Sequence, residues 1–203
     1  MKKKRKLPQA NEELSSNNCR QKGMVQLGQV RAPEQVTPIA SVFTGDDDML
    51  TAAQSELTGR LGRCVYKSER LPFAHTMYYE AEMGADLTRI IFAFGNLIDP
   101  AQLPALKNWS NDLENSWSQE GRRRVNIDVG YVSLAKLVLA TTKDHAHRLY
   151  LGQGIYGEVT LHYVSGEFRP WPWTYPDYAS LSYRKMFGAI RELHRLELRT
   201  LQQ

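Results

Sequence analysis

The sequence predicts an α+β fold, with a ferredoxin-like split βαβ core, an antiparallel sheet extended by C-terminal hairpins, and a C-terminal helix. Three observations predict it. Apolar patterning from Thr37 to Val129 runs strand–helix–strand–strand–helix–strand, the order of a split βαβ unit. After Gly130 the apolar stretches are short and separated by turn signals, so strands follow one another without crossover helices. The last segment, Ser182–Leu198, returns to a helical period.

Each element has its own signal. Thr37–Thr44, with Ile39, Val42 and Phe43, reads as a largely buried strand. Gly45 breaks it, and Asp46, Asp47 and Asp48 supply a cap and favourable charge for a helix start. Leu50, Ala53, Leu57 and Leu61 line one face of that helix, and Gly62 ends it. Arg63–Lys67 reads as a strand, Ser68–Met83 fits neither period cleanly, and Leu87–Phe94 reads as a buried strand. Asp99-Pro100 caps the next helix, whose face is Leu103, Leu106, Trp109, Leu113 and Trp117, with Gly121 expected to close it and Pro104 tolerated near its first turn. Arg123–Val129 alternates as a half-buried strand, while Ser133–Thr142 fits a short helix or a strand. His147–Leu151, Ile155–Val164 and a short stretch around Phe168 read as strands, and Pro170–Pro176 is too proline-rich for regular structure. Met186, Ile190, Leu193 and Leu196 are expected to form the inner face of the final helix.

Composition narrows the function classes. The 203-residue chain carries a formal charge of +4, but residues 1–35 hold eight Lys/Arg against three Asp/Glu, and the remainder holds 18 against 19. The expected organisation is a disordered basic tail over 1–23, with Met24 as an alternative start, and one α+β domain over 24–203. A near-neutral body gives little general attraction for a polyanion. Two cysteines, Cys19 and Cys64, form no disulfide framework, and the apolar runs are shorter than the roughly 20 residues of a membrane helix, so a cytoplasmic protein is expected.

Gly152-Gln-Gly154-Ile-Tyr-Gly157 has the spacing of a dinucleotide loop. Such a loop must lead into a helix whose amides meet the phosphates, and here Glu-Val-Thr-Leu-His-Tyr-Val follows, which is strand. The glycines are read as a hairpin turn with Gly157 at a close approach.

Three clusters carry chemistry. Arg122, Arg124, Asn126 and Asp128 share a face if the segment is extended, and guanidinium forks match phosphate or carboxylate. Lys143, Asp144, His145, His147 and Arg148 follow, with Glu158 as a further carboxylate. Asp128, His145, His147 and Glu158 are the candidate acid/base groups; Arg122, Arg124, Asn126, Lys143 and Arg148 are the candidate anion-binding groups. No metal is assigned, because two histidines do not make a ligand set, and no motif fixes a cofactor. Trp171, Trp173, Tyr175 and Tyr178, interleaved with prolines, form an aromatic strap that either stacks a ligand, through Trp173 and Tyr175, or packs over the sheet.

The runs RRVNIDVGY (123–131), KLVLATTKDHAHRLYL (136–151), GIYGEVTLHY (154–163) and PWTYPDY (172–178), with YYEAEMG, LIDP and NDLE before them, resemble the uncharacterised prokaryotic family catalogued as domain of unknown function 4416. The resemblance spans about residues 24–195 and implies no catalytic residues. Some members carry a GTP-binding label, yet this chain has neither a Gly-x-x-x-x-Gly-Lys-Ser/Thr loop nor an Asn-Lys-x-Asp motif. The function expected is binding of a phosphorylated or carboxylated small molecule through the Arg/Asp/His cluster, with groups that suit catalysis as well as binding. The alternatives are an RNA-binding or ribosome-associated module, contacting nucleic acid through the tail, and a scaffold without a site.

Overall fold

The computed structural model describes residues 29–72, 83 and 87–201. The basic 1–23 segment, Cys19 and most of Ser68–Met83 lie outside the described residues. The compact unit that carries the fold runs from Pro33 to Gln203.

Among the described residues nine strands form one sheet: β1 (Thr37–Thr44), β2 (Cys64–Lys67), β3 (Leu71–Pro72), β4 (Thr88–Phe94), β5 (Asn126–Val132), β6 (Lys136–Thr141), β7 (Leu149–Gly152), β8 (Ile155–Val164) and β9 (Glu167–Pro170). The helices are α1 (Asp47–Leu61), α2 (Leu103–Ser116), the one-turn α3 (Pro176–Ala179) and α4 (Leu181–Leu201). The class is α+β, and every strand pair is antiparallel. The main strand order is β2-β4-β1-β5-β6-β8-β7, with β3 beside β4 and β9 beside β8. β1 is buried along its whole length because β4 and β5 flank it and helices cover both faces.

The sheet alternation sorts the core into two layers. Ala40, Val42, Ile90, Phe92, Phe94, Ile127 and Val129 face Leu50, Ala53, Leu57 and Leu61 of α1 and Leu103 and Leu106 of α2. Ile39, Ile91, Ala93, Val132, Leu137 and Leu161 face Tyr183, Met186, Phe187 and Ile190 of α4. Burying each large apolar side chain contributes about 1.5–3 kcal/mol. Asp46 caps α1 as its charge and position require, its Oδ1 accepting from the amides of Asp48 (2.9 Å) and Met49 (3.1 Å).

Several local expectations need correction. α2 ends at Ser116 rather than at Gly121. Gly121 (φ 74) instead sits in a tight turn bridged from Gln119 to Arg122, and that turn delays β5 until Asn126. Within Ser133–Thr142 the strand alternative holds, over Lys136–Thr141 only, since β6 lies between two partners that its β-branched and leucine side chains fit. The inner face of α4 is Tyr183, Met186, Phe187, Ile190, His194 and Leu198, leaving Leu193 and Leu196 exposed. The helix starts at Leu181, and its inner face continues through a histidine that the apolar count overlooks. Gly152 (φ 106) and Gly154 (φ 76) do form the β7–β8 turn, and a Cβ on Gly157 would lie 2.8 Å from Leu151 Cδ1. Among the described residues no helix is long and apolar enough to cross a membrane.

Candidate functional site

The site begins with a missing ladder. β5 and β6 pair only at Gly130–Leu139, Tyr131–Val138 and Val132–Leu137. Below Gly130 the two strands part, while β5 remains paired to β1 down to Asn126 and β6 remains paired to β8 down to Thr141. A sheet that opens this way exposes backbone groups that must find other partners. Side chains of α2 supply them. Glu114 Oε1 accepts from the Ile127 amide at 2.7 Å, and Lys107 Nζ and Ser110 Oγ donate to the Ile127 carbonyl at 3.0 and 3.3 Å. Lys107, Ser110 and Glu114 recur at three- and four-residue steps, so all three reach the same edge.

The parted strands enclose a cleft of about 600 Å³. Its β5 wall carries Asn126 and Asp128, its α2 wall Lys107, Asn111 and Glu114, and its far wall Thr141, Lys143, Arg148 and Glu158. Phe43, Tyr175 and Tyr178 give it an aromatic side. The charges are mostly paired. Lys107 Nζ lies 3.3 Å from Asp128 Oδ1, and Arg148 Nε lies 2.9 Å from Glu158 Oε2. Arg89 pairs with Asp177 and lies under the Phe43 and Tyr178 rings, its guanidinium carbon 5.5 Å from each centroid.

Two groups are out of balance. Asn126 is 4% exposed; its Oδ1 accepts from Arg123 Nη1 at 3.0 Å, whereas its Nδ2 has no hydrogen-bond partner among the described residues. A buried amide donor in a polar cleft wants an acceptor. Glu114 is also 4% exposed, and its nearest cation is Arg123 at 3.6 Å. Burial pushes its carboxyl up to about 7, against the pull of Lys107. Burial likewise raises the Tyr178 hydroxyl, so it stays protonated at the cleft wall.

The predicted residues divide between places. Asn126, Asp128, Lys143, Arg148, Glu158 and Tyr175 line the cleft. Arg122 and Arg124 do not share its face, contrary to the extended-strand expectation, because the turn at Gly121 precedes them and Arg124 pairs with Asp46, the cap of α1. They line a separate hollow of about 690 Å³ with Gln119 and Glu120. His147 reaches the cleft only through Glu158, its Nε2 lying 3.1 Å from Oε2. His145 stacks on His147, His147 on Trp173 and Trp173 on Trp171, and Trp171 meets His162 at a tilt, with centroid spacings of 5.9, 5.5, 5.2 and 4.1 Å. Trp173 therefore has two ring neighbours within this column, His147 and Trp171, and is 39% exposed. Lys107 and Glu114 were missed by sequence reasoning. Their signal is a lysine and a glutamate on the helix face that also carries Leu103 and Leu106.

A family model described as domain of unknown function (DUF4416) matches residues 34–194. Comparison with the curated proteins and with the solved structures gives no match.

Proposed function

The chain belongs to the DUF4416 family, and we propose that the cleft between β5 and β6 binds a phosphorylated or carboxylated small molecule. The observation that carries this reading is the unpartnered Asn126 Nδ2, buried in a cleft that also presents Lys107, Lys143 and Arg148. An anionic oxygen would satisfy the amide and lie beside Lys107 and Arg148, which are held in place by their own hydrogen bonds, so little ordering cost remains there at binding. A volume of about 600 Å³ falls within the roughly 300–1,000 Å³ of small-molecule sites. The β2-β4-β1-β5 half is read as ferredoxin-like on its strand order and antiparallel pairing, and the cleft opens where the hairpin extension joins it.

Thermal-shift screening of sugar phosphates, nucleotides and dicarboxylates tests the proposal. A ligand at a hundred times its dissociation constant stabilises by about 2.7 kcal/mol, which raises Tm by several degrees. The shift is expected to vanish in Asn126→Asp and Lys143→Ala and to persist in Arg124→Ala. A shift lost in Arg124→Ala and kept in the other two would move the site to the second hollow and overturn the reading.

A further inference from the structure

Among the described residues four carboxylates face the cleft, and three of them accept a hydrogen bond from a cation. Asp177 is bonded to Arg89, Glu158 to Arg148 and His147, and Asp128 to Lys107. Glu114 is the exception. Lys107, the cation on its own helix, gives its Nζ to the Ile127 carbonyl and to Asp128. Arg123 Nη1 stands 3.6 Å from Oε2, beyond hydrogen-bond reach. Oε1 is committed to the Ile127 amide at 2.7 Å. Oε2, on a side chain only 4% exposed in the wall of the cleft, is left with that long ion pair and no hydrogen bond from the described residues.

We propose that Glu114 is the proton-carrying residue of the cleft, and that an anion enters the site together with a proton taken up on Glu114 Oε2. This rests on the anion-binding reading above. Glu114 shares the cleft with Lys107 on α2, Arg123 and Asp128 on the β5 side, Lys143, Arg148 and Glu158 across it, and the Arg89–Asp177 pair with Tyr175 and Tyr178 on its aromatic side. A bound dianion adds negative charge to this set, and a buried carboxylate nearby cannot remain ionised at low cost. One solvent proton moves to Oε2, the charge on Glu114 is cancelled, and the new O–H donates toward the anion. Repulsion becomes a hydrogen bond. On release the proton returns to solvent. The same proton stands ready for general acid work on a bound ligand.

Sulfate is the probe, because it stays fully ionised across the range of interest and contributes no titration of its own. Calorimetric titration at constant ionic strength, in two buffers of different ionisation enthalpy, counts protons taken up. Wild type is expected to take up about half a proton per sulfate at pH 7, rising toward one at pH 8 and falling to almost none below pH 6. Its affinity is expected to fall by up to about tenfold per pH unit over the upper range. Glu114→Gln is expected to bind sulfate with no uptake and no pH dependence, and His147→Ala to keep the proton uptake whatever its affinity. Carboxyl-carbon NMR of labelled wild type gives a second reading that needs no variant: the Glu114 resonance should titrate at higher pH in sulfate than without it. Binding without uptake, or uptake that survives in Glu114→Gln, overturns the role of Glu114 and leaves the anion site standing. No sulfate binding at any pH overturns both.

Discussion

Replacing Glu114 by glutamine should make the protein more stable at neutral pH and leave it nearly unchanged in mild acid. The side-chain oxygen that accepts from Ile127 is retained, and only the ionisable proton is lost. Burial raises the carboxyl from 4.5 to about 7. A group whose folded pKa lies above its unfolded value stabilises fully below the unfolded pKa, and that contribution is lost as pH rises through the folded value. At about 1.4 kcal/mol per pH unit, the wild type should lose about 3 kcal/mol from this group between pH 4.5 and pH 8. Urea unfolding at half-unit pH steps measures it, read as the difference between Glu114→Gln and wild type. That difference should grow by about 2.5 kcal/mol in favour of the variant from pH 5 to pH 8. Glu114→Leu separates charge from hydrogen bond, because it also orphans the Ile127 amide and should be about 1–3 kcal/mol less stable than Glu114→Gln at every pH. Parallel stability profiles for wild type and Glu114→Gln would refute the argument.

Other outcomes follow from the same geometry. Gly130→Ala should destabilise by about 1–3 kcal/mol in chemical denaturation, since its Cβ would lie 2.3 Å from the Val138 carbonyl oxygen at the last paired point of β5 and β6. Arg148→Met should cost about 3–5 kcal/mol by stranding Glu158, and adding Glu158→Gln should recover much of that in a double-mutant cycle. His194, 1% exposed with Nδ1 3.1 Å from Thr37 Oγ1, is pushed down to about 4 by burial and by Arg191. Its unfolded form therefore binds the extra proton, stability should fall as pH drops from about 6.5 to 4, and His194→Leu should flatten that limb in the same urea titrations.

Much of the scaffold was legible because period-2 and period-3.6 patterns report burial directly. Thr37–Thr44 and Ile155–Val164 have the predicted bounds, and the Asp46 cap is a local signal read from a few residues. Asp128 and Glu158 were legible as members of one cleft only because both lie on strands. Arg122 and Arg124 were misplaced because a positive-φ turn at Glu120 and Gly121 interrupts the assumed extension. Lys107 and Glu114 were passed over because an apolar helix stripe invites counting of leucines, and the charges within it become meaningful only once β5 and β6 are seen to part. That parting depends on how two distant strands splay, which no local period encodes.

Backbone ladders in a sheet are indifferent to spelling: almost any residue can sustain them. The peptide on either side of Ile127 is fastened instead by Lys107, Ser110 and Glu114, so at this seam the attachment is written in three codons. Mutation can loosen, tighten or retune it one letter at a time, and the rest of the sheet would not register the edit.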